Sequence, residues 1–334
     1  MSRVWLFLIF LPFTFLLVNG RKLTTEENDR NAERCGVHFL GEESDFEKRL
    51  SKRSFGGRRL KPNEYPWTVI LKLKEGFCSG VQISPRHILT VAHCVLDFDI
   101  HFNGLQCSLN RSYSAVSVMS NPKDVFVIIG LTTKDPNNGT ISQHYKALIS
   151  AKKITVHNFE FCQIYNDLAL IELSENVSEA ASVPICMPSE NMQLHGVFYA
   201  SGSGVDCAIA RNTLIDQDQG ECGQRVVAQK FYGVDEPSHK ILAQAFSKSP
   251  RPGDGGGPLF QVDKSDIHTL VGITSHTYDD EKWKSDTSGN FLGAYVDVRA
   301  YLDWICKHSG VCPVEDTSSE ETPPLNPFNG KQRK

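Results

Sequence analysis

Residues 253–258 read Gly253-Asp254-Gly255-Gly256-Gly257-Pro258, and two further segments precede this loop in order. Leu89-Thr90-Val91-Ala92-His93-Cys94 comes first, and Asn166-Asp167-Leu168-Ala169-Leu170-Ile171 second. Asp167 lies 74 residues after His93, and Gly255 lies 88 residues after Asp167. One such hexamer alone is weak evidence; three in sequence decide the reading. Position 255 matters most for chemistry, because glycine has no group that can attack a carbonyl.

Around these segments the chain has an all-β texture. Trp67, Val69, Leu71 and Leu73 alternate with Thr68, Ile70, Lys72 and Lys74, which predicts a strand with one buried face. Residues 125–129, 168–173 and 270–274 are short apolar or β-branched runs bounded by turn residues. Short strands recurring over about 250 residues predict barrels or a sandwich. One helix is expected near the end, where Val298, Tyr301, Leu302 and Ile305 form an apolar stripe with Trp304 beside it.

The ends carry other signals. Met1–Arg3 is a short positive head, residues 4–18 are apolar and Gly20 is small, the pattern of a signal peptide cut after Gly20. The alternative is a membrane anchor, but 15 apolar residues are short for a bilayer core of roughly 30 Å. Residues 21–53 are expected to be a pro-segment. In it Thr24 and Glu27 form a capping-box pattern that opens a polar helix to about Arg34. Two dibasic pairs, Lys48-Arg49 and Lys52-Arg53, close it; they read as processing sites or as a solvated charge cluster. The main domain is expected over 54–312, and 313–334, poor in hydrophobes, as a disordered tail.

The full chain has 35 Lys+Arg against 39 Asp+Glu, a net charge of −4, which points to neither nucleic acid nor an anionic membrane surface. All ten cysteines follow Gly20: Cys35, Cys78, Cys94, Cys107, Cys162, Cys186, Cys207, Cys222, Cys306 and Cys312. An even count in an oxidising compartment favours disulfides. Without a Cys-x-x-Cys pair or a His-x-x-x-His spacing, neither a metal nor another cofactor is expected. Asn110, Asn138 and Asn176 open glycosylation sequons. The expected product is a secreted, extracellular monomer, with no membrane attachment once the leader is removed.

The three segments resemble those of trypsin-like serine proteases, in the chain order His, Asp, nucleophile. Pro184-Ile185-Cys186-Met187-Pro188 and Gly272-Ile273-Thr274-Ser275 also resemble segments of that family, and the likeness covers about residues 54–308. Asn110-Arg111-Ser112-Tyr113 and the Ile305–Cys312 run resemble a nematode branch of trypsin-like proteins known as a domain of unknown function. The resemblance implies two six-stranded antiparallel β-barrels with a C-terminal helix. It makes His93 the general base, Asp167 the acid that orients it, and 255 the nucleophile position. The oxyanion hole would be the amides of Gly253 and Gly255, and Asp254 would receive the ammonium of a new N-terminus. Ser249, Ser275 and Gly293 fall at specificity-pocket positions. Cys78–Cys94 and Cys35–Cys186 follow the family's pairing, leaving Cys107–Cys162, Cys207–Cys222 and Cys306–Cys312 for the remainder.

Several positions depart from the family. Gly255 replaces serine. Cleavage after Arg53 would expose Ser54 rather than Ile or Val, and Arg251 stands where a pocket cysteine is usual. Ser275-His276-Thr277 replaces Ser-Trp-Gly. The expected function is therefore a catalytically inactive protease homologue that binds a protein partner or polypeptide. His93 and Asp167 then read as a buried pair left from ancestry, and Ser249 as a loop serine. The alternatives are an active serine endopeptidase in which 255 is a variant or error, and a structural secretory protein with no ligand.

Overall fold

In the computed structural model the structure describes residues 22–37, 58–61, 63–130, 145–194, 196–203, 224–246, 253–278 and 290–313. The first barrel is closed and antiparallel. It contains β2 (Thr68–Lys72), β3 (Phe77–Ser84), β4 (His87–Thr90), β7 (Phe126–Ile129), β8 (Ala147–Val156) and β9 (Ala169–Leu173), in the spatial order β2-β3-β4-β9-β8-β7. The second contains β10 (Val197–Gly202), β11 (Arg225–Asp235), β12 (Lys240–Phe246), β13 (Pro258–Val262), β14 (His268–Tyr278) and β15 (Asn290–Asp297). Its order is β11-β10-β13-β14-β15-β12, and β11 pairs with β12 to close it. An irregularity in that pairing between Phe231 and Gly233 lets one 11-residue strand serve both neighbours. The short strand β1 (Arg58–Arg59) adds to β11, and β5 (Leu96–Asp97) pairs with β6 (Val118–Met119) outside both barrels.

The expected alternation at β2 is only half right. Val69 and Leu71 are fully buried, but Thr68 and Ile70 are buried as well, and only Lys72 is open. The face read as solvated lies against the second barrel, where the hydroxyls of Thr68 and Ser201 are 2.7 Å apart and Gln224 Nε2 donates to the Thr68 carbonyl. Packing of one barrel on the other is not encoded in a strand's own period, so the sequence pattern could not show it.

The helix expected after Thr24 forms as its capping box predicts. In α1 (Thr25–Arg34) the Thr24 hydroxyl accepts from Glu27 N, and the Glu27 carboxylate accepts from Thr24 N. The helix lies against both barrels and the C-terminal helix. Leu23 is buried and donates from its amide to Ser309 O. Asn28 holds Cys312 from both sides, donating from Nδ2 to its carbonyl and accepting its amide at Oδ1. Asn31 donates to Ile83 O in the first barrel, and Gly36 O accepts from His268 N in the second.

Two more helices of eight residues or longer follow among the described residues. The C-terminal α4 (Leu302–Ser309) buries Leu302 and Ile305, as its stripe predicts, and ends at Gly310 with φ 77°. The other, α3 (Ile100–Leu109), was not legible in advance. Asp99 caps it, and Cys107 ties it to Cys162, yet Ile100, Phe102, Leu105 and Leu109 are exposed, so no buried stripe marks it. The other disulfides among the described residues are Cys35–Cys186, Cys78–Cys94 and Cys306–Cys312. Cys207 and Cys222 lie outside the described residues, as do Ser249, Asn138, Ser54, residues 1–21, where the signal peptide is expected, and residues 314–334, nearly all of the expected tail.

Candidate functional site

The site lies where the two barrels meet. β4 runs into a single helical turn, α2 (Ala92–Val95), which carries His93 and is pinned to β3 by Cys78–Cys94. Asp167 sits just ahead of β9. The turn before it is held by Asn166, in the left-handed region at φ 55°, which accepts from the Tyr301 hydroxyl at 3.1 Å.

Asp167 is completely buried, and every charged or polar partner an enclosed carboxylate needs is present. Oδ1 accepts from the His93 amide at 3.0 Å. Oδ2 accepts from His93 Nδ1 at 2.9 Å and from the Ser275 hydroxyl at 2.6 Å. Burial alone would raise this carboxyl, but the His93 charge and the three donors outweigh it and hold it below its ordinary value. Burial likewise pulls the His93 imidazole down, and Asp167 more than offsets it, so the ring ends above its ordinary value. With Nδ1–H committed to Asp167, Nε2 is the free acceptor, and 40% of the His93 side-chain surface remains open. Ser275, expected in the specificity pocket, is buried with its hydroxyl turned to Asp167.

Nε2 points at position 255. A Cβ built on Gly255 would lie 3.1 Å from it. The neighbouring glycines are under a different constraint. Gly256 has φ 86°, and a Cβ there would collide with the Ser79 carbonyl and the Thr90 hydroxyl; one on Gly257 would collide with the Ser201 carbonyl. Gly255 has neither a positive φ nor a backbone atom in the way. The fold therefore requires glycine at 256 and 257 but not at 255.

Ser79, which the sequence reading overlooked, holds this loop from the other barrel. Its amide donates to Gly255 O at 2.8 Å, and its hydroxyl donates to Gly253 O at 2.8 Å. Gly256 N donates to Thr274 O, and Gly257 N to Asp254 O. Among the described residues the amides of Gly253 and Gly255 have no acceptor. The only available signal for Ser79 was a polar residue between Cys78 and Gly80 in a strand otherwise buried. The Asp254 carboxylate is turned inward, 2.7 Å from where a Cβ on Gly202 would stand, and its charge together with burial raises the enclosed Tyr295 phenol. Gly293 lies under the Tyr295 ring, which a side chain there would meet at 2.9 Å. No group of three or more His, Cys, Asp or Glu among the described residues is placed to hold a metal ion.

Two barrels with His93 and Asp167 bonded at their junction define the architecture of the chymotrypsin-like proteins. The sequence model of the trypsin family matches residues 54–305, three quarters of the chain, and the protein belongs to that family. It is 25% identical over 303 residues to the atrial natriuretic peptide-converting enzyme of Homo sapiens, covering 87% of this chain and 25% of that protein. It is 24% identical to the proclotting enzyme of Tachypleus tridentatus, covering 82% of this chain and 68% of that one. It is 26% identical to the CLIP domain-containing serine protease B4 of Anopheles gambiae, covering 81% and 74%. The chain spans only about a quarter of the length of the first of these relatives.

Proposed function

We propose that this protein is an extracellular trypsin-family homologue that binds a polypeptide in its cleft without cutting it. The observation that carries this reading is Gly255. The position beside His93 Nε2 has no backbone need for glycine and would take a Cβ if the imidazole moved by a few tenths of an ångström, yet it carries no nucleophile. Removing the nucleophile of a serine protease costs roughly a million-fold in rate, on the order of 8 kcal/mol. What remains is a base with no hydroxyl to deprotonate and two amides with no oxyanion to receive.

The disulfides and the apolar leader at 4–18 support an extracellular location. No helix among the described residues is long and apolar enough to cross a membrane. Asn110 and Asn176 are exposed, which supports both as glycan acceptors.

Purified protein, cut after Arg53, is expected to leave peptide esters intact and to take up no fluorophosphonate probe. Stoichiometric labelling in the cleft would overturn the reading. A second reading, a serine endopeptidase whose position 255 is a variant, is favoured by the complete Ser275–Asp167–His93 hydrogen-bond chain. A serine codon at 255 in the source transcript would establish it.

A further inference from the structure

Seven of the eleven large apolar side chains exposed among the described residues fall within residues 100–119. Each of the seven is 49% to 75% open to solvent. Phe102, Leu105 and Leu109, three and four positions apart, share one face of α3. Val116 leads into β6, where Val118 and Met119 are open as well.

These residues belong to one excursion from the first barrel. The chain leaves at the end of β5, forms α3, and returns as β6, which pairs back onto β5 with Asp97 opposite Val118 and Leu96 opposite Met119. The Cys107–Cys162 disulfide and a hydrogen bond from Gln163 Nε2 to Arg111 O fasten the excursion to the stretch that precedes Asp167. The apolar surface is therefore carried by an anchored element.

Size, charge and a free strand edge say what such a surface fits. The seven side chains present on the order of 700 Å² of apolar surface, above the roughly 300–600 Å² of the largest patch on a typical monomer and close to the ~800 Å² that each partner gives a standard interface. Arg111 is the only Lys, Arg, Asp or Glu among residues 100–119. A two-fold dimer sets a patch against its own copy, so charges on it tend to meet like charges, and this patch is nearly free of them. Among the described residues β6 pairs with β5 alone, so its outer edge is open. Open edges are usually guarded by Lys, Pro or a bulge, yet residues 112–119, Ser-Tyr-Ser-Ala-Val-Ser-Val-Met, hold no charged residue and no Pro. Pairing of such an edge with its own copy about a two-fold axis uses it up, whereas head-to-tail pairing would continue into a fibre.

We propose that α3 and β6 form the interface of a two-fold dimer of this chain, in place of the monomer expected from the sequence. The β6 edges of the two copies meet antiparallel, and the face of α3 that carries Phe102, Leu105 and Leu109 packs against the second copy. Asn110 caps the end of α3, so a glycan there leaves from the margin of the patch. The proposal does not depend on what the cleft binds, and the dimer sets two clefts in one particle.

Sedimentation equilibrium of the glycosylated secreted protein, over about 0.1 to 100 μM, is the test. A dimer is expected, with a dissociation constant of about 1 μM or below. The variant Phe102→Glu with Leu105→Glu should weaken it about 100-fold or more, with an unchanged far-UV circular dichroism spectrum, since both side chains are exposed in the single chain. A dimer that persists unweakened in this variant would overturn the proposal, because its interface would lie elsewhere. A monomer at every concentration, in wild type and in Asn110→Gln alike, would overturn it too. So would a wild-type monomer whose Asn110→Gln variant dimerises, which would show that the glycan covers this face. If the double variant does not fold, hydrogen exchange of the wild type still decides. Amides within 100–119 should exchange faster on dilution through the dissociation constant, and exchange there that does not change while the dimer dissociates would overturn the proposal.

Discussion

The two halves of the site have fared differently. The first barrel's half, His93 and Asp167, is complete: the carboxylate is enclosed and takes three hydrogen bonds. The second barrel's half has its loop held by Ser79 and Thr274, with glycine at 255 beside His93 Nε2, the position proposed above to lack a nucleophile. The physical difference is what else each group does. Removing Asp167 would strip partners from His93 and Ser275 inside the protein, so this pair is part of the fold as well as of any chemistry. On the proposed reading a side chain at 255 would serve chemistry alone, since no positive φ and no backbone atom near its Cβ ties that position to the fold. On the proposed reading the pair has two roles and position 255 would have one.

The sharpest way to break that contrast is to add one methyl group at adjacent positions. Gly256→Ala puts a carbon into the Ser79 carbonyl and the Thr90 hydroxyl at φ 86°, and should destabilise the protein by about 3 kcal/mol or more. Gly255→Ala meets only the edge of His93 and should stay within about 1 kcal/mol of wild type. Denaturant midpoints of the two variants decide it. Equal losses would mean that 255 is glycine for structural reasons, and the account of a missing nucleophile would weaken.

A second prediction concerns the segment that binds both halves together. Cys35–Cys186 joins the α1 segment to the link between the barrels, while Asn31 and Gly36 bond to one barrel each. Protein cut after Arg53 should therefore run as one band on non-reducing electrophoresis. On reduction it should split off a fragment of about 33 residues. Release without reductant would refute the tether and detach α1 from the mature surface.

Much of this was legible in the sequence because it is local. His93, Asp167 and the 253–258 loop each sit in a contiguous segment, the capping box at Thr24 and Glu27 lies within one turn, and the apolar stripe marks α4. What was missed is nonlocal. Ser79 matters only because a loop some 174 positions later folds onto it. Thr68 is buried by the other barrel, and Ser275 faces Asp167 because a register shift lies between Thr274 and His276.

The retained pair can also be tested by pH. The His93 value is raised in the folded protein, so its contribution to stability is full below the unfolded value of about 6.5 and is lost as pH rises through the folded value. The Asp167 value is lowered, so its contribution is present above about 3.9 and is lost as pH falls through the folded value. From pH 6 to pH 9 the wild-type melting temperature should fall relative to that of His93→Gln. Parallel profiles for the two proteins would show that the pair adds nothing to the fold and would undercut the two-role argument.

The smallest expected effect is the return of activity on restoring the nucleophile. Gly255→Ser supplies the hydroxyl, and the Asp167–His93 chain is in place to use it. Two things oppose turnover. The new Cβ would sit 3.1 Å from Nε2, so the imidazole must shift by a few tenths of an ångström before the hydroxyl can bond to it. A new N-terminus at Ser54 would bury little apolar area, about 1.5–3 kcal/mol less than isoleucine, so it would order the oxyanion loop weakly. Each misplaced oxyanion donor lowers the rate by about 10²–10³. The single variant, cut after Arg53, should thus show only trace esterase activity, and the double variant Gly255→Ser with Ser54→Ile should exceed it. Full trypsin-like turnover from Gly255→Ser alone would show that the second half of the site lost one group and nothing more.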